Sequence, residues 1–388
     1  MSIAMWAAGY CIVLTTIQLV AVAIAAVKCR RRPRHLSPPD GAPPVTLLRP
    51  VCGVDNCADE TLGSAFRLDY PDYEIVFCVA RADDPVVALV NRLLDAYPHV
   101  PTRLLIGDDR ISSNPKLNNV VKGWAAARHD WIIVADSNLL MPGDYIQRLL
   151  ACWHADTGLV CSTPIGTRPG NFWAELECAF LNTLQARWQY VGASLGFGFA
   201  QGKTMLFRRD LVERGGGIAA LGAEPAEDAA ATKLIRGQGL NVHLVDNPFE
   251  QPLGRRSAAE VWSRQLRWAR LRRVTFPRFF LAELIAGGTL PIIAGAYAAS
   301  QLGLDVAAVV ALLLVTWFGA EAVLARATGW HFSPRMPLAL LLRDLILPVL
   351  WIAAWLSDDF VWRGNAMNLH ATTPEESSAS AVRAGHNP

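Results

Sequence analysis

Trp131-Ile132-Ile133-Val134-Ala135-Asp136-Ser137-Asn138 is a five-residue apolar run that ends on a carboxylate, a hydroxyl and an amide. Its length, its β-branched content and the lack of polar alternation describe a strand buried on both faces. Such a strand needs helices above and below it, so short strands and helices should alternate along the neighbouring chain. Val45-Thr46-Leu47-Leu48, Glu74-Ile75-Val76-Phe77-Cys78-Val79 and Arg103 to Ile106 supply the strands, and Glu60 to Arg67, Pro85 to Ala96 and Leu117 to Ala127 have helical composition. The alternation predicts an α/β domain with a mostly parallel sheet over about residues 45–278. Ligands bind such sheets beyond the carboxyl ends of the strands. The polar groups directly after each apolar run are therefore the candidates for chemistry.

The flanks of this domain read differently. Ile3 to Val27 is an almost unbroken apolar run, long enough as a helix to cross a bilayer. Lys28-Cys29-Arg30-Arg31-Arg32-Pro33-Arg34 follows it, which places that end in the cytoplasm; a cleaved signal would carry its charges before the apolar run. Residues 29–44 form a basic, Pro-rich linker. Three more apolar segments, Phe280 to Leu302, Leu304 to Leu324 and Leu338 to Leu356, make a membrane region over residues 279–358, and a polar tail occupies 359–388, expected to be disordered after Thr372. Arg343 and Asp344 interrupt the last segment, so it is expected to lie flat at the interface or to re-enter. The chain is thus expected to be a multi-pass protein of the cell membrane with its central domain cytosolic. The 52% hydrophobic and 18% charged fractions agree with membrane segments, and a net charge of +2 gives no field for nucleic acid. Eight cysteines without C-x-x-C spacing are expected to be reduced packing thiols, not zinc ligands.

Asp136 emerges where the buried strand meets solvent, so it could hold a divalent cation bridging two phosphates, or simply start an Asx turn. Asp83 and Asp84 precede Pro85, which suits a ligand contact and equally a helix cap. Asp228 opens a helix, where the macrodipole welcomes a carboxylate, yet a carboxylate there could also take a proton from a hydroxyl. Arg264, Arg267 and Trp268 share one helical face by their spacing, suiting diphosphate oxygens and an aromatic contact; the same basic helix, with Arg270, Arg272 and Arg273 beside it, would also suit anionic headgroups.

Taken together, Asp83-Asp84-Pro85, Asn114-Pro115-Lys116-Leu117-Asn118-Asn119, Asp136-Ser137-Asn138, Glu227-Asp228 and the R-x-x-R-W set, in this order between a single N-terminal span and several later ones, resemble the ceramide glucosyltransferase family. The resemblance implies a GT-A fold and inverting transfer of a hexose, most often glucose, from a UDP-sugar to a membrane lipid, with ceramide as the acceptor. Carried over by motif, Asp84 would contact the uridine with Asp83 as partner, and Asp136 would stand at the diphosphate and a Mg2+ or Mn2+ ion. Asp228 would be the base, and Arg264, Arg267 and Trp268 would grip the diphosphate and the acceptor side. Lys116, Asn118 and Asn119 match the element beside the donor site, and Gly202 would let the backbone approach the sugar. Asn138 stands where a second carboxylate would complete D-x-D, leaving the metal to Asp136 alone. Trp362-Arg363-Gly364 is similar to an element kept on the cytosolic side. Diacylglycerol or hopanoid acceptors fit the same mechanism. A processive polysaccharide synthase, which would need more spans for a polymer channel, and an inactive nucleotide-sugar-binding scaffold are the competing readings.

Overall fold

The computed structural model describes residues 2–30 and 35–371. Residues 31–34 of the basic, Pro-rich linker and the tail beyond Thr372, expected to be disordered, lie outside the described residues. Elements are numbered in chain order. Two compact units emerge, one of Arg32–Pro164, Gly192–Pro252 and Asp358–Pro388, the other of Met1–Arg31, Ile165–Val191 and Leu253–Ser357. The stretch 45–278 therefore contributes to both.

The first unit holds a seven-stranded sheet of order β3-β2-β1-β4-β7-β5-β8. Its strands are β1 (Val45–Pro50), β2 (Tyr73–Val79), β3 (Thr102–Ile106), β4 (Trp131–Ala135), β5 (Thr157–Cys161), β7 (Thr204–Arg208) and β8 (Asn241–Leu244). All neighbours run parallel except at β7, which is antiparallel to both β4 and β5. The helices α2 (Ala58–Ser64), α3 (Val86–Ala96), α4 (Pro115–Ala126), α5 (Tyr145–Leu150), α8 (Arg209–Arg214) and α9 (Glu227–Gly237) cover it. Every residue of β1 and β2 is buried, as the continuous apolar runs require. Asn114 caps α4 by accepting from the Lys116 and Leu117 N–H groups, with Pro115 at its first position. Gly123 lets α4 lie close to the sheet, since a Cβ there would come within 2.6 Å of Cys78 Sγ. A core of Leu47, Ile75, Phe77, Ile133, Val160, Leu206 and Phe249 fills one face; each such side chain contributes about 1.5–3 kcal/mol.

From β1 the chain proceeds to β2 and β3 on one side and later to β4 on the other. The β1/β4 boundary is thus a topological switch point, with a crevice at the carboxyl ends of these two strands. The hairpin β10 (Asp359–Trp362) and β11 (Asn365–Asn368) belongs to this unit, and β6 (Ile165–Pro169) and β9 (Glu250–Gly254) form a separate small sheet.

The second unit contains α1 (Ile3–Lys28), α6 (Phe172–Cys178), α7 (Arg187–Ser194), α10 (Ala258–Thr275), α11 (Pro277–Ala282), α12 (Thr289–Gln301), α13 (Val306–Thr328) and α14 (Met336–Ala353). A π-helical segment, Ala179–Ala186, links α6 to α7. Among the described residues α1, α13 and α14 are long and apolar enough to cross a membrane, and Pro277–Ile285 with Thr289–Gln301, bent by 42°, form a fourth candidate. Helices α1, α12 and α13 pack on one another, whereas α14 packs on α6, α10 and the π segment. The two charges that interrupt α14 are fully paired. Arg343 donates to both Glu321 oxygens at 2.8 and 3.0 Å, to Thr183 Oγ1 at 2.7 Å and to Asp344 Oδ1 at 2.7 Å. Gln18 of α1 donates to Glu321 at 3.0 Å, and Arg187 lies 3.6 Å from it. This buried ion cluster ties α1, α7, α13 and α14 together.

All eight cysteines are free thiols; five are buried, Cys152 is half-buried, and Cys52 and Cys57 are exposed.

Candidate active site

The β4–β7 register sets the centre of the site. Ala135 pairs with Thr204, and the Asp136 N–H donates to the Lys203 carbonyl at 3.1 Å, so the residues after β4 face those before β7. Lys203 Nζ lies 2.9 Å from Asp136 Oδ2 and donates to Asn138 Oδ1 at 3.0 Å. Lys116, from the first turn of α4, lies 2.7 Å from Asp136 Oδ1 and 2.7 Å from Glu227 Oε1, and also donates to the Gly202 carbonyl. The Glu227 carboxylate accepts on its other oxygen from Asn114 Nδ2 at 2.9 Å.

Asp228 opens α9 beside this cluster. Its Oδ2 accepts from the Gly202 N–H at 3.0 Å and its Oδ1 from the Ala229 N–H at 2.8 Å. Burial and then the Glu227 charge push its carboxyl up to about 6, against the pull of Lys116 and the two N–H groups. Burial also works to raise Asp136, but the Lys116 and Lys203 ammoniums outweigh it and hold that carboxyl well below the ordinary range. Two neighbouring carboxylates are thereby driven apart, the pattern of one base and one permanent anion.

Gly202 is needed here for space. A Cβ on it would stand 2.9 Å from Glu227 Oε1 and 3.2 Å from both Asp228 Oδ2 and Lys116 Nζ.

A second cluster lines the β1 side of the crevice. Asp84 accepts from the Gly53 N–H at 3.0 Å on both oxygens and from the Val86 N–H at 2.9 Å, so it heads α3 and also pins the loop after β1. Asp83 stands apart, exposed and paired with Arg81. Ser137 Oγ donates to Asp55 Oδ2 at 2.8 Å, joining the loops that follow β4 and β1. Arg363, in the turn of the β10–β11 hairpin, grips both Asp55 oxygens at 2.8 and 2.7 Å. Ser113 Oγ donates to the Ala371 carbonyl at 2.7 Å, fastening the hairpin's far end. Beneath the Asp136 loop, fully buried Arg49 donates to the Ser137 carbonyl at 3.2 Å, and burial lowers its guanidinium to about 10.

Asn118 is a structural brace: its Oδ1 accepts from the Ile111 and Ser112 N–H groups and its Nδ2 donates to the Ser112 carbonyl. The Asn119 Oδ1 accepts from Lys122 Nζ at 2.8 Å.

Arg264, Arg267 and Trp268 belong to the other unit, on α10. This helix starts with a capping box between Ser257 and Glu260 and ends on Arg272 and Arg273, which suit its terminal dipole. Arg264 lies 2.8 Å from Glu177 Oε1, a fully buried carboxylate that also pairs with Arg256 at 3.2 Å. Trp268 is half-buried against the cluster of Ala174, Cys178, Met336 and Leu340, and Arg267 is half-buried.

The crevice thus brings together Asp136, Lys116, Gly202 and Asp228, with Asp84 on its other wall. Lys203, Asp55, Glu227, Arg49 and Arg363 join them without having been singled out as ligands from sequence. Lys203 was visible only as the neighbour of Gly202.

The model of Glycosyl transferase family 21 matches residues 13–374. Ceramide glucosyltransferase 3 of Caenorhabditis elegans is 28% identical over 334 residues, covering 84% of this chain and 73% of that protein. The ceramide glucosyltransferase of Komagataella phaffii is 41% identical over 108 residues, 27% of this chain and 21% of that protein. Among solved structures, a mannosyltransferase from Pyrobaculum calidifontis in complex with GDP-Man and Mn2+ covers 90% of this chain and 97% of its own, with 18% identity and a TM-score of 0.50. That similarity is one of fold: a GT-A-like glycosyltransferase architecture.

Proposed function

We infer, from the premise that this chain belongs to glycosyl transferase family 21, that it transfers glucose from UDP-glucose to the primary hydroxyl of ceramide with inversion at the anomeric carbon. The observation that carries this reading is the cluster at the mouth of the β1/β4 crevice, where a permanent anion at Asp136 and a base-like Asp228 flank Gly202. The ceramide acceptor is taken from the relatives of that name.

In this mechanism the uridine lies on the loops after β1 and β2, against Gly53 and Asp84, and the diphosphate reaches the Asp136 loop. The acceptor oxygen attacks the anomeric carbon from the face opposite the UDP. Its proton passes to the Asp228 carboxylate as the bond to UDP breaks. An Asp held near 6 is ionised at neutral pH yet basic enough to accept a proton as the alcohol becomes an ether oxygen. The cations Lys116 and Lys203 offset charge gathering on the departing diphosphate. Arg264, Arg267 and Trp268 are assigned to the diphosphate and acceptor side by their place in the motif.

A divalent cation, Mg2+ or Mn2+, belongs to this reading. Among the described residues no three His, Cys, Asp or Glu side chains are grouped to hold a metal. One carboxylate with substrate phosphates is nevertheless an ordinary protein share for Mg2+. Asp136, an ionised and partly open carboxylate, fits that share, with Asn138 as the neutral neighbour. The ion would draw charge from the leaving diphosphate.

Membrane attachment keeps the site near an acceptor that stays in the bilayer. The basic residues after α1 favour a cytosolic catalytic unit in the cell membrane. Membranes holding the protein, incubated with labelled UDP-sugars and extracted with organic solvent, should yield labelled lipid whose mass is that of ceramide plus one hexose. Labelled diacylglycerol or hopanoid would replace the acceptor, and no labelled lipid despite bound UDP would defeat the enzyme reading.

A further inference from the structure

The β10–β11 hairpin closes through a two-residue turn, Arg363-Gly364, between the paired residues Trp362 and Asn365. Both turn residues are left-handed, Arg363 at φ +52° and Gly364 at φ +79°, a conformation that glycine or asparagine adopts at small cost and arginine does not. Strained residues of this kind gather at ligand clamps, where the side chain is needed in one place. Here that place is the mouth of the β1/β4 crevice. We propose that Arg363 binds the donor's diphosphate directly, through the Nη1 and Nε hydrogens that Asp55 leaves open. The proposal rests on the reading of the crevice as a UDP-sugar site.

A guanidinium carries five N–H donors in a fixed fork that matches phosphate oxygens. Arg363 commits Nη2 to the two Asp55 oxygens, at 2.8 and 2.7 Å, and among the described residues no hydrogen bond uses its Nη1 or Nε. The open end stands beside the loop after β1: a Cβ placed on Gly53 would lie 3.8 Å from Arg363 Nη1, and the Gly53 N–H is itself held by Asp84. On the other side, Asp55 accepts from Ser137 Oγ at 2.8 Å, directly after Asp136. Burial works against the Arg363 charge, but Asp55, and beyond it Cys52 and Asp136, hold the guanidinium above its ordinary range. Arg363 thus stands between the wall assigned to uridine and the loop assigned to the diphosphate. Its side chain is 35% exposed, open to a ligand. Because Asp55 already fixes the fork, a phosphate meets an ordered donor and little freedom is lost on binding.

The test is displacement of radiolabelled UDP from the full chain in detergent with Mn2+, by unlabelled UDP and by uridine, for the wild type, Arg363→Asn, Asp55→Asn and the double variant. Arg363→Asn removes the guanidinium and leaves Asn-Gly, the favoured pair for this turn, so the hairpin keeps its shape. It should bind UDP about 10- to 100-fold more weakly, the worth of a charge-assisted contact, while its affinity for uridine stays within about threefold of wild type. Asp55→Asn should keep UDP affinity within about threefold, and adding Arg363→Asn to it should cost about tenfold or more. Unchanged UDP affinity in Arg363→Asn would overturn the proposal and leave the donor reading intact. Equal losses for UDP and uridine would do the same, marking a hairpin that only shapes the loop after β1. A double variant that binds UDP like the wild type would also overturn it, since the arginine would then serve only to neutralise Asp55. Absence of UDP binding by every form, wild type included, would remove the donor reading and the proposal together.

Discussion

Asp228 is held by two backbone N–H groups, from Gly202 and Ala229, beside a neighbouring carboxylate, and the balance leaves it near 6. In the proposed mechanism the ionised form is the base, so turnover should be full above that value and kcat/KM should fall about tenfold per pH unit below it. Glu227 contributes to the elevation, so Glu227→Gln should move the acid limb of the profile to lower pH; a limb that stays put would show that another group sets it. Asp228→Asn should reduce kcat by about 100- to 10,000-fold while UDP binding persists. At Gly202, alanine would push a methyl to 2.9 Å from Glu227 and 3.2 Å from Asp228 and Lys116. The expected cost is about 1–3 kcal/mol in folding stability, read as a lower Tm, with a larger loss of activity because the displaced groups are those the proposed mechanism uses. Asp136 and Asp228 could be picked out in the sequence because a strand end and a helix start are local events. Lys203 could not, since its meeting with Asp136 depends on an antiparallel register between residues 67 apart, and nothing local in Phe197 to Thr204 encodes it.

At the level of elements, β1 to β4 and their helices follow from composition, as each is a short run bounded by turn residues. The π-bearing stretch from α6 to α7 does not. Glu177, Asn182, Thr183 and Arg187 are all buried within it, so no amphipathic period marks the helix, and their partners lie far off at Arg256, Gly166, Arg343 and Glu321. The same long-range pairing explains how α14 accommodates charges that its sequence alone made awkward. Arg343 holds Glu321 and Asp344 at once, with no exposure. Arg343→Met would leave Asp344 without its cation and Glu321 to Arg187 and Gln18, and the expected cost is about 3–5 kcal/mol. Thermal unfolding of the detergent-solubilised protein measures it; a Tm unchanged from wild type would mean the cluster is dispensable.

For the whole molecule, the hairpin after α14 lies in the same compact unit as the sheet. With the sheet and the hairpin on one side of a membrane, an even number of complete crossings between them is expected. Three candidates stand there, and α12 and α13 are the two that pack with α1, while α14 keeps company with α6 and α10. The turn between α12 and α13, Leu302 to Asp305, carries no basic residue, whereas Arg326 and Arg335 follow at the other end of α13, the charge pattern of two crossings. The expected topology is three spans with α14 lying at the membrane surface. In sealed vesicles, cysteine-reactive labels should reach residues 304 and 2 from one side and residues 334 and 365 from the other, each introduced as a single cysteine in a cysteine-free background. Labelling of 334 and 365 from opposite sides would mean that α14 crosses.

Arg363 also has a place in time. A ribosome makes Asp55, Asp84 and Asp136 early and Arg363 only after α1, α12, α13 and α14 have been synthesised, yet it is Arg363 that clasps Asp55 and, through it, the Ser137 loop. A half-made or wrongly threaded chain therefore has a crevice without its clasp. Because the hairpin is translated after α14, the crevice is expected to be completed only once the helices before it have been made.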